Sequence, residues 1–241
     1  MVKKIGCIIQ ARMGSTRLPG KVLKPLVDKT LLGHILTRLK QSQYIDKIIV
    51  ATSENVEDSR IVDECKKYSV DCFIGSNADV LARFFRAACL YNLTDIVRIC
   101  ADNPLVDWEI IDKQILVYNK NQYDIVATGS HIPLGLGGEI FSFEKLEKAY
   151  NNAKEDYQRE HVTPYIYENY EKILRYQINN DYSKYRFTLD TPEDWSLISK
   201  IYDILYKGTH DFTLNEVIKV MNDKHQLYEI NKNIKQISVR K

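Results

Sequence analysis

Residues 4–10 read KIGCIIQ, and residues 11–21 continue ARMGSTRLPGK. The first segment holds an unbroken apolar run, IGCII, which suits a strand buried on both faces, as the strands of a parallel sheet are. The second segment changes character at once. From Gln10 to Lys21 it carries three cations (Arg12, Arg17, Lys21), two hydroxyls (Ser15, Thr16) and two glycines (Gly14, Gly20). A buried strand running straight into such a loop sets the expectation of an α/β sheet with a polyanion held beyond the strand's carboxyl end.

The alternation continues downstream. Leu31, Leu32, Ile35, Leu36 and Leu39 recur at helical spacing, and residues 47–52 (KIIVAT) read as a strand. Residues 58–68 are helical with Ile61, Val62 and Cys65 on one face, and 71–74 form a short strand. Val80, Leu81, Phe84, Phe85 and Ala88 mark a helix, 95–101 (DIVRICA) a strand, 107–118 a helix and 123–129 (YDIVATG) a strand. Strands alternating with helices predict a mostly parallel sheet with helices on both faces, a three-layer α/β sandwich. Ligands of such sheets bind where strand order reverses, so the loops after Gln10, Thr52, Ile74 and Ala101 are the candidates. Past residue 129 the pattern changes to a Gly- and Pro-containing stretch, HIPLGLGGEIF at 131–141. An aromatic-rich helical segment at 160–170, a strand at 172–178 and closing helices at 195–206 and 214–221 follow. The organisation expected is one domain over 1–223, with a small α+β insertion at about 130–185, and a loose polar tail at 224–241.

Composition narrows the class. Lys and Arg number 34 against 32 Asp and Glu, a net charge of +2, which gives no electrostatic case for nucleic acid or an anionic membrane as partner. No apolar run approaches the ~20 residues of a membrane span, and the N-terminus lacks the pattern of a signal peptide. Cys7, Cys65, Cys72, Cys89 and Cys100 form no CxxC pair, which reads as reduced thiols in a cytoplasmic protein. Cys7, Cys89 and Cys100 sit in apolar runs and are expected to be buried.

Two familiar phosphate loops fail on inspection. A Walker A loop needs four residues between its glycines and a hydroxyl after the lysine; here five separate Gly14 from Gly20, and Val22 follows Lys21. GxGxxG does not occur in the loop either. What remains is glycine backbone that lets N–H groups approach phosphate oxygens, with cations to neutralise them.

IIQARMGSTRLPGKVL closely resembles the N-terminal signature of the cytidylyltransferase family typified by spore-coat polysaccharide biosynthesis proteins, which is related to the CMP-sialate and CMP-3-deoxy-manno-octulosonate synthetases. The resemblance extends to about residue 206. It implies a Rossmann-like nucleotidyltransferase that transfers CMP from CTP to a small acidic acceptor, with Mg²⁺ as cofactor, and that forms a homodimer. ADNPLVD at 101–107 resembles the family's GDxPLID, and FTLDTPEDW at 187–195 its TVDTPEDL, which implies Asp102 and Asp190 as metal ligands. Each also has a structural reading, Asp102 as a helix N-cap and Asp190 in a turn before Pro192.

Carried over residue by residue, the family places Gln10, Ala11, Arg12, Gly14, Ser15, Arg17 and Lys21 on the nucleotide. Arg12, Lys21 and Asp102 are the expected catalytic groups. Thr52 and Ser53 match the family's ATS segment beside the base. GSNADVLARF at 75–84 resembles GSxDDVLxRY, which adds Ser76, Asp79 and Arg83 to the nucleotide site; Asp79 also suits an N-cap. DYQREHVTPYIY at 156–167 resembles YEREHVTPYIY, which implies Arg159, Glu160 and His161 as acceptor contacts along with Glu139. PLGLGGEIF at 133–141 departs from the family's PxGLDVExF, with Gly137 where relatives have Asp. A glycosyltransferase of similar architecture would usually carry a DxD motif, which Asp102-Asn103-Pro104 does not supply. A non-catalytic nucleotide-binding relative would have no need of Asp102 and Asp190.

Overall fold

The computed structural model describes residues 3–15 and 17–236. β1 (Ile5–Gln10) leads into the first loop and a small antiparallel hairpin, β2 (Pro25–Leu26) and β3 (Lys29–Thr30). Next come α1 (Leu31–Leu39), β4 (Lys47–Ser53), α2 (Ser59–Lys67), β5 (Asp71–Gly75), α3 (Val80–Leu90), β6 (Asp95–Cys100), α4 (Trp108–Lys120) and β7 (Ile125–Thr128). The chain continues through β8 (Glu139–Ser142), α5 (Phe143–Asn152), α6 (Asp156–His161), α7 (Pro164–Asn169), β9 (Ile173–Tyr176), α8 (Pro192–Leu205) and α9 (Leu214–Asp223).

Seven strands form one sheet in the order β5-β4-β1-β6-β8-β7-β9. β1 pairs in parallel with β4 on one side and β6 on the other, Gln10 lying opposite Ala51 and Cys100. Strand order therefore reverses at β1 and β6, and the crevice beyond their carboxyl ends is the natural ligand site. β1 is buried on both faces, as its apolar run requires. Cys7 and Ile9 pack with α1, α2 and α4, and Ile8 with α3 and α5. Complete burial of a side chain such as Ile8 or Ile9 is worth about 1.5–3 kcal/mol. A third apolar cluster, built from Leu105, Leu189 and the inner faces of α8 and α9, supports the far wall of the crevice.

Four features depart from the pattern read in the sequence. β8 is an antiparallel strand between β6 and β7, and α5 follows it directly; neither was anticipated. The single helix expected over 160–170 is two short ones, because Val162 has a φ of 71° and Pro164 restricts the residue before it. The expected loose tail is packed over its described part. A 3-10 turn at His225–Ile230 buries Leu227, and Asn231 donates to Asp194 Oδ1 (2.9 Å) and to the Arg186 carbonyl (3.1 Å). Residues 237–241 lie outside the described residues. Finally, Cys7 is buried, but Cys89 is exposed on the outer face of α3 and Cys100 only half-buried. No helix among the described residues is long and apolar enough to cross a membrane.

Candidate active site

The first loop is folded on itself by one carbonyl. Met13 O accepts from Ser15 N (2.8 Å) and Gly20 N (3.0 Å), and Gly20 takes a φ of 68°, a left-handed conformation that favours glycine. The buried Met13 side chain anchors the turn, and Ser15 Oγ accepts from Leu18 N (3.3 Å). Ala11 continues the sheet by donating to Ala51 O (3.2 Å). A Cβ at Gly14 would have no neighbour within 4 Å, so this backbone faces open space where a ligand can approach it. Thr16 lies outside the described residues.

Lys21 is the centre of the arrangement. Its ammonium donates to Asp190 Oδ1 (3.0 Å), Asp102 Oδ2 (3.2 Å) and the Leu189 carbonyl (2.6 Å). Leu189 N donates to Asp102 O (2.8 Å), which aligns the two segments that carry the carboxylates. Asp102 is not a helix cap; Asp107 caps α4 instead, accepting from Glu109 N (2.9 Å) and Ile110 N (3.1 Å). Asp190 also meets Arg17 Nη2 (3.1 Å) and Arg186 Nη2 (2.7 Å). Burial works against the Asp190 charge, yet Lys21, Arg17 and Arg186 hold its carboxyl below the usual range. The sequence reading put Lys21 and Arg17 on phosphates; in this structure both rest on carboxylates.

Across the crevice, Arg12 reaches Glu160 Oε1 at 3.9 Å, and both side chains are largely exposed. Ser53 donates through N and Oγ to Asp58, whose other oxygen accepts from Met13 N (2.7 Å). Thr52 is fully buried, its hydroxyl has no hydrogen-bond partner among the described residues, and strand alternation puts it on the Val50 face, away from α3. Ser76 Oγ accepts from Asp79 N (3.2 Å), and Asp79 caps α3 through Ala82 N (2.8 Å). The other Asp79 oxygen holds Arg159 Nε (2.8 Å) and Nη2 (2.5 Å). Arg159 Nη1 donates to the carbonyls of Tyr150 (3.1 Å) and Ala153 (3.3 Å), so every nitrogen of this guanidinium is engaged in tying α6 to the start of α3 and the end of α5. Arg83 is 2% exposed, and its Nε and Nη1 are buried without a hydrogen-bond partner among the described residues.

Glu139 is likewise engaged. Arg98 Nη1 (2.6 Å), Tyr167 OH (2.6 Å) and Thr163 Oγ1 (3.1 Å) donate to it, while Arg98 Nε and Nη2 grip Gln10 Oε1 at 3.2 and 3.1 Å. This chain of contacts links the end of β1 to α7. His161 is half-buried; burial, with Arg98 and Arg12, lowers its pKa against the pull of Glu160. A Cβ at Gly137 would lie 2.1 Å from Thr128 Oγ1, so any side chain there would require Thr128 to shift.

Four residues missed in the sequence do much of the positioning. Asp58 joins the first loop to the end of β4, and Arg98 joins Gln10 to Glu139. Arg186 and the fully buried Asp194 brace Asp190, with Asp194 accepting from Arg186 Nε (3.0 Å), Asp190 N (2.9 Å) and Thr191 N (3.1 Å). Two signals were present: a lone Arg inside the apolar run DIVRICA, and the TPED capping box, in which Thr191 and Asp194 bond reciprocally.

The family model described as cytidylyltransferase matches residues 6–234. An uncharacterised protein of Methanocaldococcus jannaschii is 44% identical, with 98% of each chain covered. The spore coat polysaccharide biosynthesis protein SpsF of Bacillus subtilis is 35% identical over 89% of this chain and 92% of its own. The structure of a cytidylyltransferase from Leptospira borgpetersenii superposes with a TM-score of 0.89 at 35% identity, covering 98% of this chain and all of the other. The similarity runs along nearly the whole length, and the chain belongs to the cytidylyltransferase family.

Proposed function

We propose that this protein transfers CMP from CTP to a small acidic acceptor, an ulosonic acid or a sugar, polyol or other phosphate, with release of pyrophosphate, in surface polysaccharide or glycoconjugate synthesis. The observation that carries the reading is the meeting of Asp102 and Asp190 around one cation, Lys21, at the switch point of the sheet. The biosynthetic setting rests on the similarity to SpsF.

Mg²⁺ fits this donor set. Two hard carboxylate oxygens and one carbonyl converge within 3.2 Å of Lys21 Nζ, and a divalent cation held by the same oxygens would take the ammonium's place and release it toward the phosphates. Among the described residues there is no group of three or more His, Cys, Asp or Glu that would form an all-protein cage. Mg²⁺ takes one or two carboxylates and fills the rest of its shell with water and substrate phosphates. When bound, it supplies charge neutralisation to the phosphate oxygens.

The remaining work falls to the chain's own groups. Arg12, Arg17 and Lys21 grip the β- and γ-phosphates and so favour departure of pyrophosphate. An acceptor oxygen forms a bond to the α-phosphorus as the bond to the bridging oxygen breaks in line. An ionised acceptor carboxylate or phosphate needs no base, so His161 acts as a neutral wall or hydrogen-bond partner. Dimer contact is assigned to the aromatic segment at 157–170, and gel filtration showing a clean monomer removes that assignment. Pyrophosphate release from CTP and Mg²⁺, scanned over sugar acids and phosphorylated metabolites, tests the whole reading. Turnover of a nucleotide-sugar with no release from CTP would replace it with glycosyl transfer.

A further inference from the structure

Arg98 stands in the apolar run of β6, between the buried side chains of Val97 and Ile99. Its own side chain is 14% exposed, and a charge placed so far inside is seldom a net source of stability. Its donors are satisfied in a definite way. Nη1 donates to Glu139 Oε2 (2.6 Å), and Glu139 is itself held by Tyr167 OH and Thr163 Oγ1. Nε and Nη2 both donate to one atom, Gln10 Oε1, at 3.2 and 3.1 Å.

That fork fixes the Gln10 amide. A guanidinium only donates, so the amide must face it with oxygen; the reverse orientation would set donor against donor. Sheet register says where the other end goes. Arg98 lies opposite Ile8, two residues deeper in the sheet than Gln10, which lies opposite Cys100 at the carboxyl end of β1. The oxygen is therefore turned into the sheet, and the amide nitrogen, with its two N–H donors, toward the crevice. Asp102 is close by, because Ala101 N donates to Gln10 O at 3.0 Å and Asp102 is the next residue.

We propose that Arg98 is a positioning residue, which holds the Gln10 amide so that Nε2 donates to an α-phosphoryl oxygen of the bound nucleotide; this step rests on the CMP-transfer reading above. A nucleotide whose α-phosphate is drawn to Asp102 meets Gln10 on the adjacent strand, about 4.7–4.9 Å away at ordinary strand spacing. An amide free to rotate would also present its oxygen, which repels phosphate. Clamped through Arg98, Glu139 and Tyr167, it presents only donors and need not reorganise as charge shifts on the phosphoryl group during transfer.

Calorimetric binding of CMP and of cytidine, each with Mg²⁺, isolates the α-phosphate, because the two ligands differ only there. The proteins are the wild type, Gln10→Met, Gln10→Glu, Arg98→Met and Arg98→Lys, with urea unfolding of each. The wild type is expected to prefer CMP, and Gln10→Met, which adds no charge, to lose about tenfold or more of that preference. Gln10→Glu still accepts from Arg98, so it should unfold no earlier than the wild type, yet it has no N–H to offer and should lose the preference as well. Arg98→Met keeps Gln10 but frees its amide and should lose part of the preference; Arg98→Lys, also donor-only, should recover most of that loss. A wild-type preference in a folded Gln10 variant, or in an Arg98→Met that merely unfolds earlier, would make the pair a plain strut and overturn this inference alone. A wild type that binds neither CMP nor CTP would overturn it together with the CMP-transfer reading.

Discussion

Lys21 Nζ lies 3.0 Å from Asp190 Oδ1, although 169 positions separate the two residues in the chain. The same ammonium bonds Asp102, so a single +1 charge stands between the two carboxylates proposed for a divalent cation. Both members of the Lys21–Asp190 pair are nearly buried, where breaking an ion pair is expensive because the partner is left uncompensated.

Replacing Lys21 by Met should therefore expose the carboxylates' need for a cation. The thermal midpoint of Lys21→Met is expected to fall below the wild type without divalent ions, the penalty being about 3–5 kcal/mol. Added Mg²⁺ or Mn²⁺ should raise the variant's midpoint more than the wild type's. Turnover should drop about 10²–10³-fold, the size of effect seen when one transition-state donor is removed. Near-normal pyrophosphate release, or a midpoint indifferent to the metal, counts against the assignment.

Arg12 separates function from stability in the opposite way. Its pair with Glu160 spans 3.9 Å between side chains that are 46% and 54% exposed. Exposed pairs of this kind contribute about 0–1 kcal/mol. Arg12→Ala is expected to leave the urea midpoint almost unchanged while lowering kcat/KM at least about tenfold through loss of a charge-assisted phosphate contact. A variant that unfolds early but turns over normally would move Arg12 from the site to the scaffold.

The sequence disclosed the fold and one half of the site for a local reason. IGCIIQARMGSTRLPGK is contiguous, and both its burial and its loop chemistry are written within seventeen residues. The groups that brace the site are not contiguous. Asp58 meets Met13 across 45 positions and Arg98 meets Gln10 across 88, so each looked like an isolated charge in a helix start or a strand. β8 escaped notice because Glu139–Ser142 is too short for its periodicity to register and owes its existence to edges on β6 and β7. The tail seemed loose because its polar composition hides Asn231, which satisfies a carboxylate buried far upstream.

Asp194 offers a check on that bracing. It is fully buried and satisfies Arg186, Asn231 and the backbone N–H groups of Asp190 and Thr191. Asp194→Ala leaves Arg186 with Asp190 as its one carboxylate and frees Asp190 to tilt, so a loss of about 1–3 kcal/mol in unfolding free energy for each buried donor left unsatisfied is expected. Asp194→Asn, which keeps shape and part of the hydrogen bonding, should lose less stability yet still depress kcat. Full activity in a folded Asp194→Asn would show that Asp190 needs no such support.

A histidine pair distant from the chemistry sets the response to acid. His34 Nε2 lies 2.6 Å from the Leu26 carbonyl and must donate to it, so His34 Nδ1 is bare and accepts from His210 Nε2 at 2.8 Å. His210 Nδ1 is then an unprotonated, buried acceptor without a partner. Burial, aided by Arg38, lowers the pKa of His34 to about 4 and that of His210 to about 3. Both folded values lie below the unfolded value of about 6.5, so the unfolded chain binds more protons in between. The stability contributed by the neutral pair is complete above about pH 6.5 and is lost as pH falls toward 4, at up to about 1.4 kcal/mol per pH unit for each ring. Urea midpoints at pH 7.5, 6.0 and 5.0 should decline in the wild type. His210→Phe, which keeps an aromatic ring against Tyr202, Tyr206 and Phe212 but cannot titrate, should decline about half as steeply over the same range. An unchanged slope in that variant would assign the acid sensitivity to groups other than His210; a carboxylate such as Asp190, held below its ordinary range, begins to cost stability only as pH falls toward the unfolded value of about 4.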